Sequence, residues 1–184
     1  MKLDKRSKIF LIIFFSIILI PVIIIGTINY TKEQKLKNRI ENSKATRTLT
    51  LNSISTSITL DELLELELSK EYTIGNNIST RNEKKTTITY TNTTFFGADC
   101  IKEYVFYDNK LRVCDFDIDA SHWMPKNIYE ELVKLNGEPD ETDVEPDNKY
   151  HYDIYTWYGK NGTLWMIEDK STRSIDVSLE IEER

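Results

Sequence analysis

Five acids crowd one stretch of the chain: Asp140, Glu141, Asp143, Glu145 and Asp147. Carboxylate oxygens are hard ligands of the kind that hold Ca²⁺, so Asp140, Asp143, Glu145 and Asp147 are the candidate metal ligands. Their spacing departs from an EF-hand loop, and the central glycine is missing. A solvated loop without metal or other cofactor is therefore expected. Asp115, Asp117 and Asp119 alternate along a second segment, as on the solvated face of a sheet, where charge also discourages edge-to-edge pairing. The two histidines stand apart, His122 beside Trp123 and His151 between Tyr150 and Tyr152. An envelope hydrolase or metal-dependent enzyme would use His122 or the acidic loop, with His122 meeting Cys100, Cys114 or Asp119 in a pocket. The sequence holds no phosphate-binding loop, dinucleotide turn, metalloprotease helix or nucleophile elbow. A protein that is not an enzyme is the expectation.

Aromatic residues are better supplied. Tyr150, Tyr152, Tyr155, Trp157, Tyr158 and Trp165 concentrate on two adjacent predicted strands. One parity of the first strand holds Tyr150, Tyr152 and Tyr158, and the other holds Tyr155 and Trp157. One face must be core. The other is either a Tyr/Trp contact surface of the kind enriched at interfaces or a layer packed under a helix. On the first reading the candidate binding residues are Tyr155, Trp157 and Trp165. The two cysteines, Cys100 and Cys114, could pair in an oxidising compartment, closing a loop worth roughly 3 kcal/mol in the chain-entropy model. A hairpin turn centred at Asn109 sets Cys114 opposite Tyr104 instead, which leaves two buried thiols as the alternative.

Positioning these residues is the task of a chain that opens on a nearly unbroken apolar run, Ile9–Ile28. At about 1.5 Å per residue such a run reaches the roughly 30 Å of a bilayer core. It is longer than a secretory signal core and ends without a small-residue cleavage site. An uncleaved transmembrane signal-anchor over residues 9–29 is expected, with Pro21 as a tolerated kink. Residues 1–8 then form a cytoplasmic tail. The C-terminal domain is extracytoplasmic in a single-pass protein of the cell membrane, so the lipid bilayer is one expected partner. Positive residues flank both ends of the run, so the orientation rests on the short tail and the large following domain.

Charge is divided along the chain. Residues 1–59 hold ten Lys/Arg against three acids, and residues 60–184 the remaining 14 against 27. An acidic distal domain lacks the basic footprint that nucleic acid requires. Abundant Lys, Asn and Ile point to an AT-rich microbial genome, in keeping with a bacterial source.

Residues 30–58 read as a polar stalk and linker, with residues 46–57 a first edge strand as the alternative. Thr59-Leu60-Asp61-Glu62 is a capping box that opens a helix with Leu60, Leu63, Leu64 and Leu68 on one face. Residues 85–92 alternate as a strand. Residues 101–107 and 111–118 form a hairpin about Asp108-Asn109-Lys110. A second helix over residues 126–135 stops at Asn136-Gly137, with Pro139 beyond. Strands over residues 150–158, 163–168 and 174–181 follow. The order helix, long loop, strand, hairpin thus repeats about 65 residues later. The expected fold class is α+β: an N-terminal transmembrane helix, then an antiparallel-sheet domain of two αβββ units, residues 59–120 and 121–184. Such units can share one sheet or pack as a tandem.

The second unit, over residues 124–182, resembles small exported αβββ modules. These include the beta-lactamase-inhibitor-like and SmpA/OmlA-like envelope domains. The residues that carry the resemblance are Tyr129-Glu130-Glu131-Leu132, Leu135-Asn136-Gly137-Glu138-Pro139 and the Tyr155-Thr156-Trp157-Tyr158 strand. The resemblance implies binding of a protein or a role in envelope assembly without catalysis. Anchoring here is through a span instead of a lipidated cysteine. The expected function is non-catalytic binding of a protein or envelope component.

Overall fold

The structure, a computed structural model, describes residues 5–51, 55–67, 70–78, 83–120, 125–144 and 152–182, with side chains in the first helix from Ile20 onward. It divides into two compact units, Met1–Glu41 and Asn42–Arg184. The described part of the first unit is helix. Its helix, α1 (Lys5–Thr46), runs on into the first residues of the second unit.

The expected membrane span requires correction. Among the described residues no helix is long and apolar enough to cross a membrane. The described side chains of α1 begin at Ile20 and are apolar only as far as Ile28. Lys32, Glu33, Lys35, Lys37, Arg39 and Glu41 then follow on the same helix. The finding overturns the signal-anchor and the single-pass membrane localisation. Residues 9–19 of the expected span lie outside the described side chains.

The second unit is built on one eight-stranded sheet with every neighbouring pair antiparallel. In chain order the elements are α2 (Leu60–Leu66), β1 (Thr73–Ile78), β2 (Lys84–Phe95), β3 (Ala98–Tyr107), β4 (Lys110–Asp119), α3 (Pro125–Asn136), β5 (Glu141–Asp143), β6 (Tyr152–Gly159), β7 (Gly162–Asp169) and β8 (Ser174–Ile181). The spatial order is β1-β2-β3-β4-β8-β7-β6-β5. Each half is therefore a helix followed by a four-strand meander, and the last strands of the two halves pair at the centre.

The α+β class of two αβββ units needs correction too. The fold is mostly sheet, and each half carries a strand more than expected. Both additions, β1 (TIGNNI) and β5 (ETD), lie at the edges. Glycine, asparagine and acids have low strand propensity, and an edge strand can be held by backbone pairing to one neighbour alone.

Both helices cover the same face of the sheet. Ile88, Tyr104, Phe116, Val177, Met166 and Trp157 are fully buried on it, under Leu63 of α2 and Ile128 and Leu132 of α3. The capping box at α2 forms as expected. Glu62 Oε2 accepts from the Thr59 amide at 2.8 Å, and Thr59 Oγ1 accepts from the Glu62 amide at 3.3 Å. The β3–β4 turn is a two-residue I′-type reversal, with Asp108 at φ 47 and Asn109 at φ 67.

The expected linker is also part of this unit. Leu49 and Leu51 are 1% and 2% exposed and join the core. Two side-chain amides bind their segment as a neighbouring strand would. Asn161 receives the Leu49 amide and donates to its carbonyl, both at 2.8 Å. Asn136 receives the Thr50 amide at 2.9 Å and donates to its carbonyl at 3.2 Å. Gly159 leaves the space for Leu49, since a Cβ there would stand 2.6 Å from Leu49 Cγ.

Candidate functional site

The face of the sheet turned away from α2 and α3 is read from register. One row across it runs Ile101, Asp117, Asp176, Ile167, Ile154, Asp143. The next runs Thr89, Glu103, Asp115, Ser178, Trp165, Thr156, Glu141. Asp117 thus stands directly opposite Asp176, and Glu103 opposite Asp115. Like charges placed directly opposite destabilise a sheet. Beside this acidic centre lies an apolar strip of Trp165, Ile167 and Ile154, all half-buried, and on its far side Ile101 is 45% exposed.

The electrostatics follow from that packing. Burial pushes the Asp115 carboxyl above its ordinary range; a hydrogen bond with Ser178 opposes the shift, and Asp176, Glu103 and Asp117 add to it. Asp176 is raised by burial first, then by Asp117 and Asp169. Each carboxylate makes its neighbours costlier to ionise.

On the helix-covered face the sheet buries a lysine. Lys102 is 1% exposed, and its Nζ donates to Glu67 Oε1 at 2.8 Å. Lys70 Nζ stands 3.3 Å from the same oxygen. The rings of Tyr90, Tyr104 and Phe116 surround the ammonium at 5.6, 4.8 and 5.9 Å. Glu67 Oε2 and the hydroxyls of Tyr90 and Tyr104 are buried without a hydrogen-bond partner among the described residues. Burial, then the Glu67 charge, pushes the Tyr90 hydroxyl up to about 12. Tyr104 is pushed up as well, chiefly by burial and then by Cys114. Enclosed by rings and carboxylate, this amine holds the C-terminus of α2 to the sheet and is shut off from substrate.

The structure separates the residues expected to bind. Tyr155 and Trp157 lie on the covered face, under Tyr129 of α3, with ring centroids 4.7 and 6.3 Å from it. Trp157 is fully buried and donates through Nε1 to the Gly137 carbonyl at 2.7 Å, so it offers no contact surface. Trp165 lies on the opposite face, because it pairs with Thr156 and Ser178. The single parity expected to carry the aromatic surface is therefore the layer beneath α3.

The acidic loop is also taken apart. Asp140 is 1% exposed; it accepts from Ser43 Oγ and Arg47 Nη1, both at 2.7 Å, and from the Tyr158 amide at 2.9 Å. It clamps the segment around Ser43–Arg47 to β6 and is no free ligand. Asp143 is exposed on β5. Glu145 and Asp147 lie outside the described residues, as do His122, Trp123, Tyr150 and His151. Among the described residues no group of three or more His, Cys, Asp or Glu could hold a metal ion.

Cys100 and Cys114 are both free and buried, which selects the two buried thiols over the disulfide. Cys114 pairs with Tyr104 and Cys100 with Ile118, four residues apart along β3. Four residues of strand span roughly 13 Å, well beyond the reach of a disulfide. Burial raises the Cys100 thiol to about 11, and it raises Cys114 as well. Neither is poised as a nucleophile.

No protein-family model matches the chain. No curated protein matches it either. Among solved structures it is similar to the crystal structure of a DUF4309 family protein, YjgB, from Bacillus subtilis subsp. subtilis str. 168. The identity is 12% and the TM-score 0.41, over 80% of this chain and 95% of that chain. A likeness at that level carries no argument about fold or function, and it has no bearing on the resemblance seen in residues 124–182.

Proposed function

We propose that this protein is a non-catalytic binding domain whose contact surface is the sheet face opposite α2 and α3. One observation carries the reading: both helices pack on one side, while the other side sets Trp165, Ile167 and Ile154 beside the acids Asp115, Asp117 and Asp176. An aromatic and aliphatic strip edged by charge is the composition of a protein contact site. Burial, and after it the neighbouring carboxylates, raise Asp115 and Asp176, so a cationic partner would relieve repulsion already present in the free domain. The partner is accordingly a protein that presents Lys or Arg next to an apolar surface. The resemblance of residues 124–182 to protein-binding modules agrees with this reading.

The test is affinity capture from the cells that express the protein. The full chain is compared with Trp165→Ser and with the pair Asp117→Asn, Asp176→Asn. The expected result is one protein retained by the wild type, lost with either variant and weakened by salt. Equal capture by all three, or capture unaffected by salt, refutes the surface.

A further inference from the structure

The two asparagines that hold the segment around Leu49 and Thr50, Asn136 and Asn161, are both followed by glycine. Asn-Gly occurs nowhere else in the chain. Asparagine is a thermolabile residue. Glycine carries no side chain to shield its own nitrogen, so an asparagine before it is the one most easily deamidated. At 161 and 162 the fold itself demands this pair. Gly162 has φ 149, and a Cβ there would stand 2.0 Å from the Glu180 carbonyl oxygen, so no other residue fits. Asn161 is needed for its amide, which accepts from the Leu49 amide and donates to the Leu49 carbonyl, both at 2.8 Å. Beside it Lys160 is exposed, and its backbone amide donates to the Arg47 carbonyl at 2.7 Å. The turn between β6 and β7 thus carries the segment and reaches solvent. Asn136 is held more firmly. It is 6% exposed and also donates to the Leu132 carbonyl at 3.2 Å, and the Gly137 amide is engaged by the Val133 carbonyl at 2.7 Å.

We propose that Asn161 is a deamidation site and that its conversion is a one-way release of residues 47–51 from the sheet. In the first step the Gly162 nitrogen bonds to Asn161 Cγ and gives up its proton, and the side-chain nitrogen leaves as ammonia, closing a succinimide ring. Water then adds across a C–N bond of the ring and yields aspartate or isoaspartate. While the segment is docked, both polar atoms of the amide are bonded to Leu49, so Cγ is held from turning to the glycine nitrogen. Opening of the segment frees the amide. After conversion the old arrangement is lost. A carboxylate only accepts hydrogen bonds, so one of its oxygens would face the Leu49 carbonyl where the donor stood. Isoaspartate also lengthens the backbone of the turn. A transient local opening thereby becomes permanent. The inference uses none of the residues assigned to the contact face.

The test is ageing of the full chain at mildly alkaline pH, with conversion at each asparagine read by peptide mass spectrometry that separates isoaspartate from aspartate. Leu49→Ala and Arg47→Gln loosen the segment in two ways, and Leu63→Val loosens the core under α2 instead. Near-ultraviolet circular dichroism checks that all three keep the packed core. Conversion at Asn161 is expected to be several-fold faster in the first two than in the wild type and unchanged in the third, with Asn136 slower than Asn161 throughout. Asn161→Asp, the product made directly, is expected to lose roughly tenfold or more of the hydrogen-exchange protection of residues 47–51 while β3 and β4 keep theirs. Equal rates in all four proteins, or a rate raised as much by Leu63→Val, overturn the proposal. So does conversion of Asn136 ahead of Asn161, or unchanged protection of residues 47–51 in Asn161→Asp.

Discussion

Replacing Lys102 by methionine removes one partner of a buried ion pair and leaves the other in place. The side chains of Lys102 and Glu67 are 2% and 7% exposed, so solvent screens little of their interaction. Breaking such a pair costs about 3–5 kcal/mol, because the remaining charge loses its compensation. Lys70 stands 3.3 Å from Glu67 Oε1 but is itself 45% exposed, so it compensates only in part. The expected cost lies near the lower end, about 3 kcal/mol, with a fall in Tm of about 10 °C for a domain of this size. The charge is the cause, so the pair Lys102→Met, Glu67→Leu should regain most of that loss and fall within about 1 kcal/mol of the wild type. Denaturant unfolding and calorimetry of the three proteins measure both numbers. A single variant that loses less than about 1 kcal/mol, or a double variant no better than the single, would show that the pair is not what holds α2 to the sheet.

The acidic face predicts a dependence on pH. The folded pKa values of Asp115 and Asp176 lie above the unfolded ones, so protons bind more tightly in the folded state. Their favourable contribution is complete below the unfolded carboxylate range and is lost as pH rises through the folded values. Asp115→Asn and Asp176→Asn should therefore raise Tm at pH 7 and gain little near pH 4, as thermal melts at the two values would show. Asn161→Ala removes both contacts to the Leu49 backbone and should cost about 1–3 kcal/mol. Limited proteolysis should then cut near Leu49–Leu51 before the rest of the domain, and unchanged cleavage would mean that the segment is held by its leucines alone.

Several elements were legible because their cause is local. The capping box at Thr59 and Glu62, the stop at Asn136-Gly137 and the turn at Asp108-Asn109 each follow from side chains within a few residues of the backbone they arrange. The alternation of Cys114, Phe116 and Ile118 against Asp115, Asp117 and Asp119 marked the buried and solvated faces of β4 in the same way. The edges were not legible. Nothing in Thr73–Ile78 or Glu141–Asp143 calls for a strand except a neighbour with unpaired backbone groups. Leu49 and Leu51 looked like isolated apolar residues in a polar linker, and only Asn136, Asn161 and Gly159 from distant parts of the chain bring them into the core.

By itself, then, the sequence determined the two helices that cover the sheet, the central hairpin and the parity of β4 and β8, because periodicity and turn chemistry act over short range. Tertiary structure decided which face each aromatic meets and which charges oppose one another. Trp157 and Trp165 lie near each other in sequence on paired strands, yet antiparallel register turns one under α3 and the other away from it. Asp117 meets Asp176 only because the final strands of the two halves pair at the centre of the sheet. A single-residue shift in that register would carry every side chain to the other face, and only the burial of both cores at once fixes it.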